Sequence, residues 1–230
     1  MESTLTPFHI FQTHKSAEYI NSKPILVNAI QSWKYLKDFK HFLYSNKDCD
    51  DFIKNHFERK VYEAYSRLPM GVMKADLWRY CIIYKYGGIY ADVDTFCINN
   101  PKLFINDSLL TVAPENNVHL CNWAFSAPKQ SPILKSVIDL SVERILRVPE
   151  IRGEHIIHYL TGPGVFTEGI ELYLKNNNLP VYENKLDYTN YKNTTMKVFN
   201  HHNFHNSIVK HLYTGQDNDG WYFERNKKLI

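Results

Sequence analysis

The stretch KADLWRYCIIYKYGGIYADVDTF, from Lys74 to Phe96, narrows the fold more than any other part of the sequence. From Val72 to Tyr86 the apolar positions Val72, Leu77, Cys81, Ile82 and Tyr86 recur at roughly the three-to-four-residue spacing of a helix, which predicts one there. Gly87 falls where a helix C-terminus favours a left-handed residue. Ile89 to Ala91 then reads as a brief apolar strand ending on two aspartates, Asp92 and Asp94. A helix joined to a strand through two glycines must fold back onto the sheet that the strand enters.

The rest of the chain repeats this alternation. Strands are predicted at Phe8–Phe11, His41–Tyr44, Leu109–Ala113, Trp123–Ala127 and Ser207–Tyr213. Helices are predicted at Pro24–Leu36, Asp48–Phe57, Glu58–Leu68, Pro132–Leu146 and Gly164–Lys175, with a break at Pro69-Met70-Gly71. No internal repeat or low-complexity linker interrupts them. The expected fold class is α/β: a mainly parallel, Rossmann-like sheet flanked by helices, in a single domain over 1–230. Such sheets bind ligands at the carboxyl ends of their strands, where Asp92 and Asp94 should lie.

Composition supports one globular domain and argues against several partners. The 230 residues are 44% hydrophobic, enough for a sizeable core. The net charge is only +3 and the basic residues are scattered, so no nucleic-acid footprint is indicated. Cys49, Cys81, Cys97 and Cys121 show no CxxC spacing, so free thiols in a reducing compartment are expected. The first residues, MESTLTPFHIF, lack the apolar core of a signal peptide. No apolar run approaches the ~18 residues of a transmembrane span. The expected location is cytoplasmic.

Residues at i and i+2 of an extended segment point to the same side, so Asp92 and Asp94 can converge on one small object. Two facing carboxylates repel unless a cation or proton lies between them. A hard divalent ion with oxygen ligands, Mn²⁺ or Mg²⁺, suits such a pair, and such ions bridge to substrate phosphates. The plainer alternative is a polar turn after a strand. On the preceding helix Asp76 and Arg79 share one face, either as a surface ion pair or as a hydrogen-bonding pair for a polyhydroxylated ligand.

Together these residues resemble a known pattern. Ala75-Asp-Leu-Trp-Arg-Tyr80 followed by Tyr84-Lys-Tyr-Gly-Gly-Ile-Tyr-Ala-Asp-Val-Asp94 is similar to the sugar-binding DXD region of glycosyltransferase family 32. That group includes α-1,6-mannosyltransferases and α-1,4-galactosyltransferases, and the region is also similar to a segment of glucosylating toxins. Phe8-His-Ile-Phe-Gln-Thr13 resembles the family's opening strand, Asn122-Trp-Ala-Phe-Ser-Ala127 its middle strand, Thr161-Gly-Pro-Gly164 its T-G-P motif, and Val209-Lys-His211 with Trp221 its C-terminal element. Phe11 and His14 depart from the usual His and Trp, and the spacing from His211 to Trp221 is long.

The resemblance implies a GT-A fold and a retaining transfer of a hexose from a UDP- or GDP-linked nucleotide-sugar donor to a carbohydrate or glycoconjugate acceptor, with Mn²⁺ or Mg²⁺. By position, Asp94 would hold the metal, and Asp92 the donor and a metal-bound water. Asp76 and Arg79 would hold donor-sugar hydroxyls. Ile10, Phe11 and Gln12 would flank the nucleobase and ribose, while Tyr90, Asn122, Gly162 and Trp221 would complete the donor site. His211, or alternatively Asp217 or Asp219, would complete the metal shell. Residues 1–100 would form the nucleotide-sugar-binding half and 101–230 the acceptor side. Two alternatives compete: a non-catalytic sugar-binding protein on the same fold, separable by donor hydrolysis, and a zinc hydrolase using His201 and His205, which lacks an H-E-x-x-H motif.

Overall fold

The computed structural model describes residues 5–34, 36–191, 195–214, 222, 225, 228 and 229. Its strands and helices run β1 His9–Thr13, α1 Ala17–Asn21, α2 Pro24–Lys34, β2 Lys40–Tyr44, α3 Asn46–His56, α4 Arg59–Arg67, α5 Gly71–Tyr86, β3 Gly88–Ala91 and β4 Thr95–Cys97. The second half continues with β5 Leu110–Val112, β6 Ala124–Ala127, α6 Pro132–Arg147, α7 Ile156–Leu160, α8 Pro163–Asn176, β7 Met196–Val198 and β8 Val209–His211.

Among the described residues the main sheet has six strands, in the order β2-β1-β3-β6-β5-β7. β1 pairs in parallel with both β2 and β3, β6 runs antiparallel to β3 and β5, and β7 is parallel to β5. Five strands therefore share one direction, and the mainly parallel α/β sheet expected from the sequence is present in a single domain.

Strand residues alternate between two apolar layers because the side-chain period is two. Phe11, Tyr90 and Phe125 enter the larger layer with Trp78, Tyr80 and Phe166. Ile10, Ile89, Ala91 and Ala124 face the opposite layer with Trp33, Phe104 and Phe204. Covered on both faces, the sheet keeps its ligand-binding surface at the strand ends.

Helix α5 differs from its expected amphipathic form. Nine consecutive or near-consecutive residues, Met73 and Asp76 through Ile83, are buried. A helix buried all round packs into the interior rather than lying on it. Asp76 and Arg79 are consequently only 4% exposed each, so the surface ion-pair alternative is excluded. The chain leaves α5 through Gly87 and Gly88, at φ of 69° and 124°. A Cβ on Gly88 would lie 2.7 Å from the His9 carbonyl oxygen, so only glycine lets β3 enter beside β1.

Several short elements escape the sequence pattern. β4 and β8 form a separate two-stranded antiparallel sheet, with Thr95 opposite His211. The strand expected over Ser207–Tyr213 is confined to Val209–His211, and a π-helical turn occupies Phe204–Ile208. β7 and α1 are likewise unannounced, too short to establish a period.

Candidate functional site

The end of β3 opens into a cavity of about 640 Å³. Asp92 and Asp94 do not continue the strand as an extended pair. The chain turns there: the Thr95 amide donates to the Asp92 carbonyl at 3.1 Å, and the Thr95 hydroxyl donates to the same oxygen at 2.6 Å. The carboxylates converge through this turn, not through a pleat, so the polar-turn and convergent-pair readings both describe part of the outcome. Ligand atoms of Asp92, Asp94 and His211 lie within 4.8 Å of one another.

His211 arrives by the β4–β8 pairing, which sets it opposite Thr95, one residue past Asp94. Its Nε2 is 3.3 Å from Asp94 Oδ1. The Thr214 amide and hydroxyl each donate to Asp94 Oδ2 at 3.0 Å. Burial opposes the Asp94 charge, but His211 and these two donors outweigh it and lower its pKa. Burial likewise opposes the His211 charge, and the Asp94 hydrogen bond overcomes it and raises the pKa. The imidazole lies flat against Trp123, with ring centres 4.8 Å apart. His211 Nδ1 is buried without a hydrogen-bond partner among the described residues.

Behind the turn is a compact polar network. Arg79 Nη2 reaches Asp76 Oδ1 at 3.0 Å and Asp92 Oδ1 at 3.2 Å, while Nη1 donates to the Asn122 carbonyl at 3.0 Å. Asn122 Nδ2 donates to Asp76 Oδ1 at 3.2 Å and to the Tyr80 hydroxyl at 2.9 Å. Thr161 Oγ1 donates to Asp76 Oδ2 at 3.2 Å. Tyr90 donates its hydroxyl to Asp92, and the Arg79 guanidinium sits 4.6 Å over the Tyr90 ring. Burial raises the Asp76 pKa to about 7 despite Arg79 beside it. Burial also raises that of Asp92, again against Arg79. Arg79 stays charged: burial opposes its charge, but Asp92, Tyr90 and Asp76 more than compensate. Its Nε has no partner among the described residues.

Asp76, Arg79, Tyr90, Asp92, Asp94 and Asn122 all line the cavity, and His211 joins them. Ile10, Phe11 and Gln12 do not. Ile10 and Phe11 are core residues, Phe11 stacking on Phe42 at 5.1 Å. Gln12 instead braces the turn, donating from Nε2 to the Asp92 carbonyl at 3.1 Å. The cavity wall near β1 is formed by Thr13, His14, Lys15 and Tyr19. His14 and Tyr19 stack at 4.9 Å, an aromatic pair whose sequence positions carried no periodic signal. Gly162 is also displaced from the wall. It caps α8, where its carbonyl is 3.4 Å from the Tyr80 hydroxyl. Its neighbour Thr161 makes the contact to Asp76, so the T-G-P motif acts through its threonine. Trp221, Asp217 and Asp219 lie outside the described residues. Thr214, Glu115 and Trp123 also line the cavity; Trp123 falls in the Asn122–Ala127 stretch, whereas Glu115 and Thr214 lie outside every quoted motif and so carry no local signal.

This geometry coincides with a family match. Residues 24–115 match the family model described as glycosyltransferase sugar-binding region containing DXD motif. The resemblance read from the residues is thus borne out over the part of the chain that builds α5, β3 and the turn.

Relatives that match over half to about two thirds of this chain are named as glycosyltransferases. An initiation-specific alpha-1,6-mannosyltransferase of Candida albicans is 25% identical, covering 69% of this chain and 55% of that protein. Its counterpart from Schizosaccharomyces pombe is 29% identical over 50% of this chain and 35% of its own length. An uncharacterized glycosyltransferase of Acanthamoeba polyphaga mimivirus is 28% identical over 60% of this chain and 54% of its length. The chain thus matches about half of the first and third of these relatives and about a third of the second. Among solved structures, the PaToxG glycosyltransferase superposes with a TM-score of 0.59 at 17% identity, covering 75% of this chain and 71% of that one. The shared fold is that of the GT-A glycosyltransferases. No helix among the described residues is long and apolar enough to cross a membrane, and the four cysteines are free and buried.

Proposed function

We propose that this chain is a divalent-cation-dependent glycosyltransferase that moves a hexose from a nucleotide-sugar donor to a hydroxyl acceptor with retention of configuration. The observation that carries the reading is the convergence of Asp92, Asp94 and His211 at the carboxyl end of β3, inside a cavity that also exposes the Asp76–Arg79 network. Two carboxylates and an imidazole suit Mn²⁺ or Mg²⁺, and an ion bound there would take over the charge balance that Arg79 gives Asp92 and His211 gives Asp94. When bound, the ion would neutralise the charge that develops on the leaving diphosphate.

The protein's own residues supply the rest. Arg79, fixed by Asp76 and Asp92, is a permanent cation with a spare Nε donor for a sugar hydroxyl or phosphate oxygen. Asp76 is enclosed by Arg79, Asn122 and Thr161 and acts as their anchor, not as an attacking nucleophile. A front-face transfer, with the acceptor proton passing to the departing phosphate, needs no enzyme nucleophile. His14 and Tyr19 offer a stacking surface at the β1 end of the cavity for the nucleobase. Residues 1–100 then supply the donor side, and Asn122, Trp123 and His211 from 101–230 close the site toward the acceptor. The relatives named as mannosyltransferases make a mannosyl donor the first to test, and the four free thiols suit a reducing cytoplasmic setting.

The test is a thermal-shift panel of UDP- and GDP-linked hexoses with Mn²⁺, followed by donor turnover. A donor at one hundred times its Kd should stabilise the fold by about 2.7 kcal/mol. Asp94→Asn should abolish cation-dependent turnover while the fold persists. A flat panel, or full turnover by Asp94→Asn in chelator, would refute the reading. Donor binding without any turnover or hydrolysis would favour the non-catalytic sugar-binding protein.

A further inference from the structure

A second donor cluster borders the same cavity and uses different chemistry. Glu115, Cys121 and His205 bring a carboxylate oxygen, a thiol sulfur and an imidazole nitrogen within 4.8 Å of one another. They come from three places: Glu115 follows β5, Cys121 precedes β6, and His205 sits on the π-helical turn Phe204–Ile208. Cys121 Sγ donates to Glu115 Oε2 at 3.1 Å and lies 3.9 Å from His205 Nε2. In a tetrahedral zinc site, sulfur and a nitrogen or oxygen donor stand about 3.6 Å apart. The three groups need only small rotations to reach that spacing.

The surroundings are those of an oriented ligand set. Trp123 donates its indole N–H to Glu115 Oε2, and the Tyr213 hydroxyl donates to Glu115 Oε1 at 3.3 Å. The His201 ring is 4.5 Å from that of His205. The other cysteines lack this company: Cys49 meets the Thr13 hydroxyl and Cys97 the Asn99 carbonyl. Thiolate and imidazole favour zinc, whereas the oxygen-rich Asp92/Asp94 pair favours harder ions. The fixed orientation of Glu115 by two donors is what outer partners of a metal ligand provide.

We propose that Glu115, Cys121 and His205 form a zinc site separate from the Asp92, Asp94 and His211 set. On binding, the Cys121 S–H bond breaks, its proton leaves to solvent, and the sulfur lone pair goes to the metal. His205 gives up its 3.1 Å contact with the Pro114 carbonyl and binds through Nε2 with its proton on Nδ1. Zinc there would tie the β5–β6 connection to the π turn. Trp123, stacked on His211 and 5.5 Å from His205, lies between the two clusters. The inference stands independently of the donor reading above.

The test uses the full chain, stripped with chelator and titrated with Zn²⁺ by calorimetry and with Co²⁺ by absorbance. The expected result is about one zinc equivalent, about one proton released per metal, and a sulfur-to-cobalt charge-transfer band. Cys121→Ser should lose the band. His205→Asn should weaken zinc at least about tenfold. Asp94→Asn should keep both band and affinity. Absence of the band in the unmodified chain, its persistence in Cys121→Ser, or loss of zinc in Asp94→Asn alone would overturn the proposal. Should Cys121→Ser fail to fold, His205→Asn decides: unchanged zinc affinity overturns it, and a tenfold loss upholds it.

Discussion

Asp76 and Asp94 line one cavity, yet their surroundings drive them in opposite directions. Asp76 sits inside helix α5, and burial lifts its pKa to about 7 even with Arg79 at 3.0 Å. Asp94 sits on the turn after β3, where His211 and two Thr214 donors lower its pKa despite burial. Proximity to a cation does not decide the outcome. Arg79 is shared among Asp76, Asp92 and the Asn122 carbonyl, whereas Asp94 has His211 and Thr214 mostly to itself. In one carboxylate burial favours the protonated form; in the other the neighbouring donors favour the ionised form.

The largest expected effect comes from removing the shared cation. Arg79→Gln leaves Asp76 and Asp92 buried without their partner and should cost about 3–5 kcal/mol in urea unfolding. A loss below 1 kcal/mol would show that the network is solvated and the contrast false. Next is the turn joining the two regions. Gly88→Ala forces an L-residue to φ of 124° against the His9 carbonyl, and should cost about 1–3 kcal/mol, with β3 displaced in amide-exchange protection.

A smaller effect separates the two carboxylates by pH. His211 has a raised folded pKa, so its contribution is full below its unfolded value near 6.5 and lost as pH rises through the folded value. Asp94 contributes above about pH 4 and loses that as pH falls through its lowered folded value. His211→Asn should therefore cost about 1–2 kcal/mol near pH 6 and progressively less at higher pH. An equal cost at pH 6 and pH 9 would mean that His211 acts by packing on Trp123 alone.

The smallest effect is a slope. Asp76 has a raised folded pKa, so the native state binds its proton more tightly and stability declines as pH rises from about 4 toward about 7. Asp76→Asn, which mimics the protonated acid, should flatten that decline in melting temperature, matching the unmodified chain near pH 4 and departing from it toward pH 7. A steeper decline in the variant would assign the proton to Asp92 instead.

The α5–β3 unit was legible because its signals are local. Helical spacing, a glycine pair and a short apolar run all fall within twenty-five residues, and the family match covers them. The burial of α5 was not, since a helix surrounded by neighbours shows the same periodic residues as one lying on a surface. Ile10, Phe11 and Gln12, expected beside the donor, stand back from the cavity wall for a related reason: strand end and strand interior look alike when the register is unknown. β1 pairs with β2 from His9 to Thr13, which moves the exposed end onward to Thr13 and His14. Of the tail histidines, His205 packs against Trp123 while His202 is exposed, a difference that their spacing alone does not set.

By itself the sequence determined that an α/β sheet would deliver Asp92 and Asp94 to a strand end behind a helix bearing Asp76 and Arg79. Those facts depend on contacts within a few turns of chain, where spacing fixes geometry. Only the tertiary structure decided which groups meet those residues. Thr161 lies 85 positions beyond Asp76, and Thr214 lies 120 beyond Asp94. Contacts over such separations are set by sheet order and by the β4–β8 pairing. The charge state of each carboxylate follows from those contacts, because in a buried site the neighbouring donors replace the solvent.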